Sequence, residues 1–198
     1  MSIHEDRSAE LPIFAPGPGA RSRILATASR LFYYEGIRAV GIDRLISESS
    51  VTKATFYKHF GAKDALILAY MQLVHVDTVE SITAIQSSAG SPVDTLRGLI
   101  DEIRQRADRA DFRGCAFMNA SVEFPDSGHP VRSIVNIHRD WYSEFVAEQF
   151  RLAGHPLAGD AADEFVMLRD GAMVGGYMGD RIATNAALSR LGERLLAA

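Results

Sequence analysis

The chain has 198 residues, 47% of them hydrophobic and 23% charged, with a formal net charge of −4. This is the composition of an ordinary soluble globular protein with enough apolar material for a real core. The single cysteine, Cys115, excludes an internal disulfide framework and points to a reducing compartment, and no apolar run approaches the roughly 18 residues of a membrane span.

Residues 1–19 carry Pro12, Pro16, Gly17, Pro18 and Gly19 without periodicity and read as a disordered arm. They lack the basic-then-apolar pattern of a signal peptide, so the protein reads as cytoplasmic. Arg21 to Glu35 reads as a helix, with Ile24, Leu25, Ala28, Leu31 and Phe32 at three-and-four spacing and Gly36 as its stop. Ile42 to Ser49 is a short helix, and Thr52 is placed to N-cap a second one through Lys58 or His59, ended by Gly61. A long helix from Lys63 keeps its spacing as far as Ser88, and Pro92 suits the first turn of the next. Helices are then expected over Cys115–Phe124, Val131–Leu152, Asp160–Arg181 and Ala186–Leu196. No segment alternates as a strand would, so the class is all-α.

The net charge hides an asymmetry. From Arg21 to Asp64 eight basic residues face four acidic ones, a surplus of +4, on a chain that is acidic as a whole. A basic module on an acidic body is the charge signature of a nucleic-acid reader. Within it, two short helices joined by a tight turn make a helix-turn-helix, whose second helix enters the major groove of DNA. Only small or polar residues near that helix's start approach base edges, and Thr52, Lys53, Ala54 and Thr55 fit. Phe56 and Phe60 face the module's core. Tyr57, Lys58 and His59 reach the flanking backbone, and Lys63 with the first amides of the long helix offers a further phosphate seat.

The run ILATASRLFYYEGIRAVGIDRLISESSVTKATFYKHFGAKDALILAYM resembles the DNA-binding domain of the TetR (tetracycline-repressor) family, from Arg21 to about Met71. Its most specific part is T-F-Y-x-H-F-x-x-K-x-x-L, from Thr55 to Leu66. The resemblance implies that Tyr57, His59 and Lys63 contact phosphates and that Thr52, Lys53, Thr55 and Lys58 lie near bases or backbone. The chain departs from the family pattern at Ser50 and Ala54, where many members have glycine, and at Gly41, where many have threonine. RGCAFMNASVEFPDSGHPVR resembles a stretch found in one subgroup. The family pattern further implies a larger all-α body that binds a small molecule and dimerises.

In that body, pocket walls are expected from Met71, Val74, His75, Phe117, Met118, Trp141, Tyr142 and Phe145. Asn119 and His138 lie on largely apolar helical stretches. Each reads either as a ligand's hydrogen-bond partner or as a satisfied core group. Cys115 after Arg113 reads either as a redox sensor or as a small buried hydrophobe. His75, His129, His138 and His155 lack metal-site spacing, and no phosphate loop, nucleophile elbow or HExxH motif occurs, so no metal or cofactor is expected. Gly171, Gly175 and Gly179 recur at four-residue spacing within DGAMVGGYMGDR. They read as a close-approach face that forms the subunit interface, with packing within one subunit or a locally broken helix as the alternatives.

The domains expected are an arm over 1–19, a helix-turn-helix domain over 20–66 and a ligand-binding and dimerisation domain over 67–198. The function expected is a homodimeric regulator that binds a double-stranded DNA operator, acts as a repressor, and is released by a small-molecule effector. An all-α enzyme and a helical adaptor, each with a basic N-terminal module, are the competing readings.

Overall fold

A computed structural model of the chain describes residues 17–197. Most of the expected N-terminal arm lies outside the described residues. Among the described residues every regular element is a helix: α1 (Ala20–Glu35), α2 (Ile42–Glu48), α3 (Lys53–Phe60), α4 (Lys63–Ser88), α5 (Pro92–Ala107), α6 (Ala116–Glu123), α7 (Pro130–Leu152), α8 (Ala158–Met178) and α9 (Arg181–Leu196). The chain divides into two compact units, the first ending at Tyr70 and the second beginning at Met71. The division falls inside α4, four residues beyond the boundary read from sequence.

In the first unit α1, α2 and α3 pack on one another. Ile24, Ala28, Leu31 and Phe32 of α1, Leu45 of α2 and Phe56 of α3 are buried, joined by Leu66, Ile67 and Tyr70 from the first turns of α4. The Phe32 and Tyr70 rings meet edge-on at 5.5 Å, an arrangement aromatic quadrupoles favour. Gly36 closes α1 by donating its N–H to the Phe32 carbonyl, at a φ of 95° that a side chain would strain.

In the second unit α5, α7, α8 and α9 pack against one another, and α6 lies on α7. The amphipathic α5 buries Leu96, Leu99, Ile100 and Ile103, and its first turn is capped by Ser91, whose Oγ accepts the Asp94 N–H at 3.1 Å. Phe150 and Phe165 join α7 to α8 edge to face at 6.2 Å.

Several helix ends differ from the sequence reading, and three of the differences bear on the second unit. Cys115 is the N-cap of α6 rather than its first helical residue. The helix read as Asp160–Arg181 runs from Ala158 to Met178, because Gly179 adopts a left-handed φ of 108° and stops it. The last helix starts five residues earlier than expected, at Arg181, because the Asp180 carboxylate caps it by accepting the Ala183 N–H at 3.1 Å. Among the described helices α4 alone has the length and apolar composition to cross a membrane, with a mean hydropathy of 1.2 over 18 residues, where the sequence reading expects none. Its apolar side chains include Leu66, Ile67, Met71 and Ile82, all buried within the protein.

Candidate nucleic-acid interface and ligand cavity

The turn between α2 and α3 is held by its own backbone. The Ser50 N–H donates to the Ser47 carbonyl at 3.2 Å and the Val51 N–H to the Ile46 carbonyl at 3.3 Å. Ser50 sits at φ 52°, the one non-glycine residue with positive φ among those described. Ser49 is buried and donates its hydroxyl to the Leu45 carbonyl. Thr52 then caps α3: its Oγ1 accepts the Thr55 N–H at 3.1 Å and lies 2.9 Å from Thr55 Oγ1. Both threonine hydroxyls are thus engaged in starting the helix.

Phe56 is fully buried and Phe60 nearly so, which fixes the rotation of α3 about its axis. Thr52, Lys53, Ala54, Tyr57, Lys58 and His59 are left exposed, and Thr55 is half-buried. A helix held at its start by a cap and along one side by two phenylalanines presents the opposite side as a fixed surface. Lys63 stands apart from this surface. It is half-buried, its Nζ donates to the Ile37 carbonyl at 2.7 Å, and it lies 5.8 Å from the centre of the Phe32 ring. It ties the start of α4 to the loop after α1.

Pairing redistributes the unit's positive charge. Arg44 bridges Glu35 and Glu48, with 2.7 Å bonds to each, and Glu48 also pairs with Arg30. The hydrogen bonds to Glu35 and then Glu48 raise the Arg44 pKa, and those from Arg44 and then Arg30 lower that of Glu48. Arg23 donates to the Pro18 carbonyl at 2.9 Å, and the Arg21 guanidinium sits 5.3 Å from the Phe60 ring centre. Among the described residues no ion pair engages Lys53 or Lys58, so the exposed side of α3 keeps its positive charge. The sequence count of basic residues could not separate these roles, because pairing across 9 and 18 residues is a tertiary property.

The second unit holds a cavity of about 240 Å³ whose walls come from α6, α7 and α8. Of the residues read as pocket walls, Phe117, Met118 and Tyr142 line it, and so does His138, read as a ligand's hydrogen-bond partner or a satisfied core group. His138 stacks on Phe117, ring centres 3.6 Å apart and planes 9° apart, and its Nδ1 is 3.1 Å from His75 Nδ1. One ring therefore carries the shared proton and the other accepts. Burial, then the nearby Arg169, pushes the His138 pKa down to about 3, so the imidazole is neutral at ordinary pH. Burial likewise pushes the Tyr142 phenol up.

The other expected wall residues stand elsewhere. His75 reaches the cavity only through His138. Trp141 packs against His75 at 5.5 Å and against Phe145 at 6.1 Å, and Met71 is a core residue. Asn119 is exposed and donates its Nδ2 to the Arg113 carbonyl at 2.9 Å, closing the loop before α6 rather than facing the cavity.

The sequence reading missed the cations. Arg169, its side chain only 13% exposed, bonds Asp170 Oδ1 at 2.8 Å, approaches Cys115 Sγ at 3.6 Å and lies 4.9 Å from the Tyr142 ring centre. Burial opposes its charge, but Cys115, Tyr142 and Asp170 around it raise the pKa further. Arg132 and Arg139 also line the cavity. The only available signal was an arginine among the apolar residues of α8, and solvated arginines are far commoner there.

The glycines of α8 divide. Gly171 lines an open apolar groove between α8 and α9. A Cβ at Gly175 would lie 2.5 Å from Thr184 Oγ1, so this glycine permits α9 to approach within the same subunit. Gly179 lies beyond the helix, at its C-cap, so the three do not form one helical face. The groove continues into side chains that water would otherwise meet: Met167 is 70% exposed, and Leu191 is also exposed.

Residues 24–70 match the family described as bacterial regulatory proteins, tetR family. A solved TetR-family transcriptional regulator from Streptomyces coelicolor is 40% identical and superposes with a TM-score of 0.87, covering 90% of this chain and 94% of its own. An uncharacterised HTH-type transcriptional regulator from Mycobacterium tuberculosis strain H37Rv is 27% identical over 83% of this chain and 85% of its own length. The HTH-type transcriptional repressor NemR of Escherichia coli K12 is 25% identical over 59% of each chain.

Proposed function

This chain belongs to the TetR family of transcriptional regulators, and from that premise we propose that it is a repressor that docks α3 in the major groove and leaves its operator when a small molecule fills the cavity beside His138. It is a helix-turn-helix DNA-binding regulator and not an enzyme. The observation that carries the reading is the exposed side of α3, where Lys53, Ala54, Tyr57, Lys58 and His59 are held outward by the burial of Phe56 and Phe60. Lys53 and Ala54, next to the capped start, face base edges, while Tyr57, Lys58 and His59 meet phosphates. Thr52 and Thr55 set the helix start, and Lys63 braces the unit beside the phosphate backbone. Repression, rather than activation, takes its support from the resemblance to a named repressor. Such a protein works where the DNA is, in the cytoplasm.

The working form is a homodimer joined through the α8–α9 groove, with Gly171, Met167 and Leu191 in the contact. An exposed apolar groove is costly in water and is relieved by a second copy of itself under two-fold symmetry. Effector binding then acts by population shift: a ligand that prefers the form with wrongly spaced recognition helices draws the protein off DNA.

Selection of bound genomic fragments, followed by retardation assays with Lys53→Ala and Lys58→Ala, tests this reading. Lys53→Ala is expected to change the preferred base in each half-site at a cost of about 1–3 kcal/mol. Lys58→Ala is expected to weaken all sequences alike and flatten the salt dependence by about one phosphate. Absence of any preferred DNA sequence would sink the assignment.

A further inference from the structure

The cavity in the second unit has an electrostatic character that its apolar walls do not require. Arg132, Arg139 and Arg169 line it, and no Asp or Glu does. Among the described residues Asp170 is the one carboxylate that engages these arginines, and it is shared: Oδ1 takes Arg169 and Oδ2 takes Arg139 at 2.7 Å. Three guanidinium groups against one carboxylate leave a surplus of positive charge around a confined space. Arg132 spends Nη1 on the Ser121 carbonyl at 3.3 Å, while its Nε is buried without a hydrogen-bond partner. A buried donor with no acceptor is costly, and native proteins rarely leave one unless something else supplies the acceptor. The stacked rings of Phe117 and His138 also line the cavity and give it an aromatic surface.

We propose that this cavity binds a small organic acid, with its carboxylate on Arg132 and Arg169 and its apolar or aromatic body against Phe117 and His138. Guanidinium forks match a planar carboxylate, and the carboxylate supplies the acceptor that Arg132 Nε lacks. The volume, about 240 Å³, lies below the usual drug-sized range, which limits the body to one ring or a short chain. The inference rests on the reading of this cavity as the effector site.

Trp141, the only tryptophan in the chain, lies 5.8 Å from the His138 ring, so its fluorescence reports occupancy. Phenylacetate, benzoate and hexanoate would be titrated into the full-length protein beside phenylacetamide, benzamide and inorganic phosphate, with melting temperature followed in parallel. At least one carboxylate is expected to saturate the signal and bind tenfold or more tightly than its amide. Arg132→Gln is expected to remove that tenfold preference and Arg132→Lys to restore part of it. Amides binding as well as acids, phosphate competing as well as phenylacetate, or no saturable carboxylate binding would each overturn the proposal in the wild-type protein, whatever the variants do. The same acids would be added to the operator complex. Carboxylate binding without DNA release would keep the anion site and reject the effector reading, whereas release by a neutral ligand alone would keep that reading and reject the anion site.

Discussion

The two units differ in the ionisable groups they enclose. In the first, ion pairs lie on the surface, where Glu35, Arg44, Glu48 and Arg30 neutralise one another, and the residues proposed to meet DNA stand on the exposed side of a short helix. The second has exposed ion pairs too, such as Arg97 with Glu193 and Arg104 with Asp101, but it also encloses an imidazole and a guanidinium: His138 is buried and Arg169 nearly so, whereas the buried polar side chains of the first unit, Ser29 and Ser49, are neutral hydroxyls. Exposed pairs contribute little to stability. Enclosed polar groups must be matched or they destabilise, so they mark a site built for something. The first unit's function can be read from which residues project, and the second's from which residues are enclosed.

The sharpest break between the units is expected from their cores. Phe56→Ala removes a fully buried ring and should cost about 3–5 kcal/mol, abolishing DNA retardation. Sedimentation of the same variant should still show the dimer, because Phe56 has no part in the groove between α8 and α9. Loss of both properties together would show that the units do not fold separately.

Leu191→Asp should do the reverse. It places a carboxylate in the α8–α9 groove of both copies, and burying an unpaired charge or polar group costs roughly 2 kcal/mol or more at each. Sedimentation should report monomers while circular dichroism stays helical, and operator affinity should fall with the loss of the second half-site. A dimer of unchanged strength would place the interface elsewhere.

Acid should act through the enclosed groups. The pKa of His138 is lowered in the folded state, to about 3, so the unfolded chain binds its proton first. Stability is fully present above the ordinary histidine range and falls as pH drops from about 6.5 toward 3, by up to about 1.4 kcal/mol per pH unit from this group. Denaturation of wild type and His138→Phe at pH 7, 6, 5 and 4 should give a flatter curve for the variant. Parallel curves would mean that His138 is not held neutral.

The smallest effect belongs to the turn. Ser50 holds a left-handed conformation that costs a non-glycine residue about 1–2 kcal/mol, and glycine returns part of that gain as unfolded-state entropy. Ser50→Gly should therefore stabilise the first unit by about 0.5 kcal/mol and leave the operator preference unchanged. A loss of stability would show that the serine side chain contributes more than its backbone strain costs.

Local chemistry carried the first unit. The spacing of Leu31 and Phe32, the stop at Gly36, the cap at Thr52 and the pair Phe56 and Phe60 act over a few residues, so the order of the chain alone determined three helices, the turn and the exposed side of α3. The same short-range logic misplaced the end of α8, because four-residue spacing does not reveal that Gly179 has turned left-handed and that Asp180 has begun a new helix. What only the tertiary structure decided is how distant segments meet. Lys63 reaches Ile37 across 26 residues, Arg169 approaches Cys115 across 54, and Asn119 turns to Arg113 instead of to the cavity. A side chain's chemistry is written in the sequence, but whether it is solvated, paired or enclosed depends on partners brought together by folding, and those partners gave the cavity its positive charge.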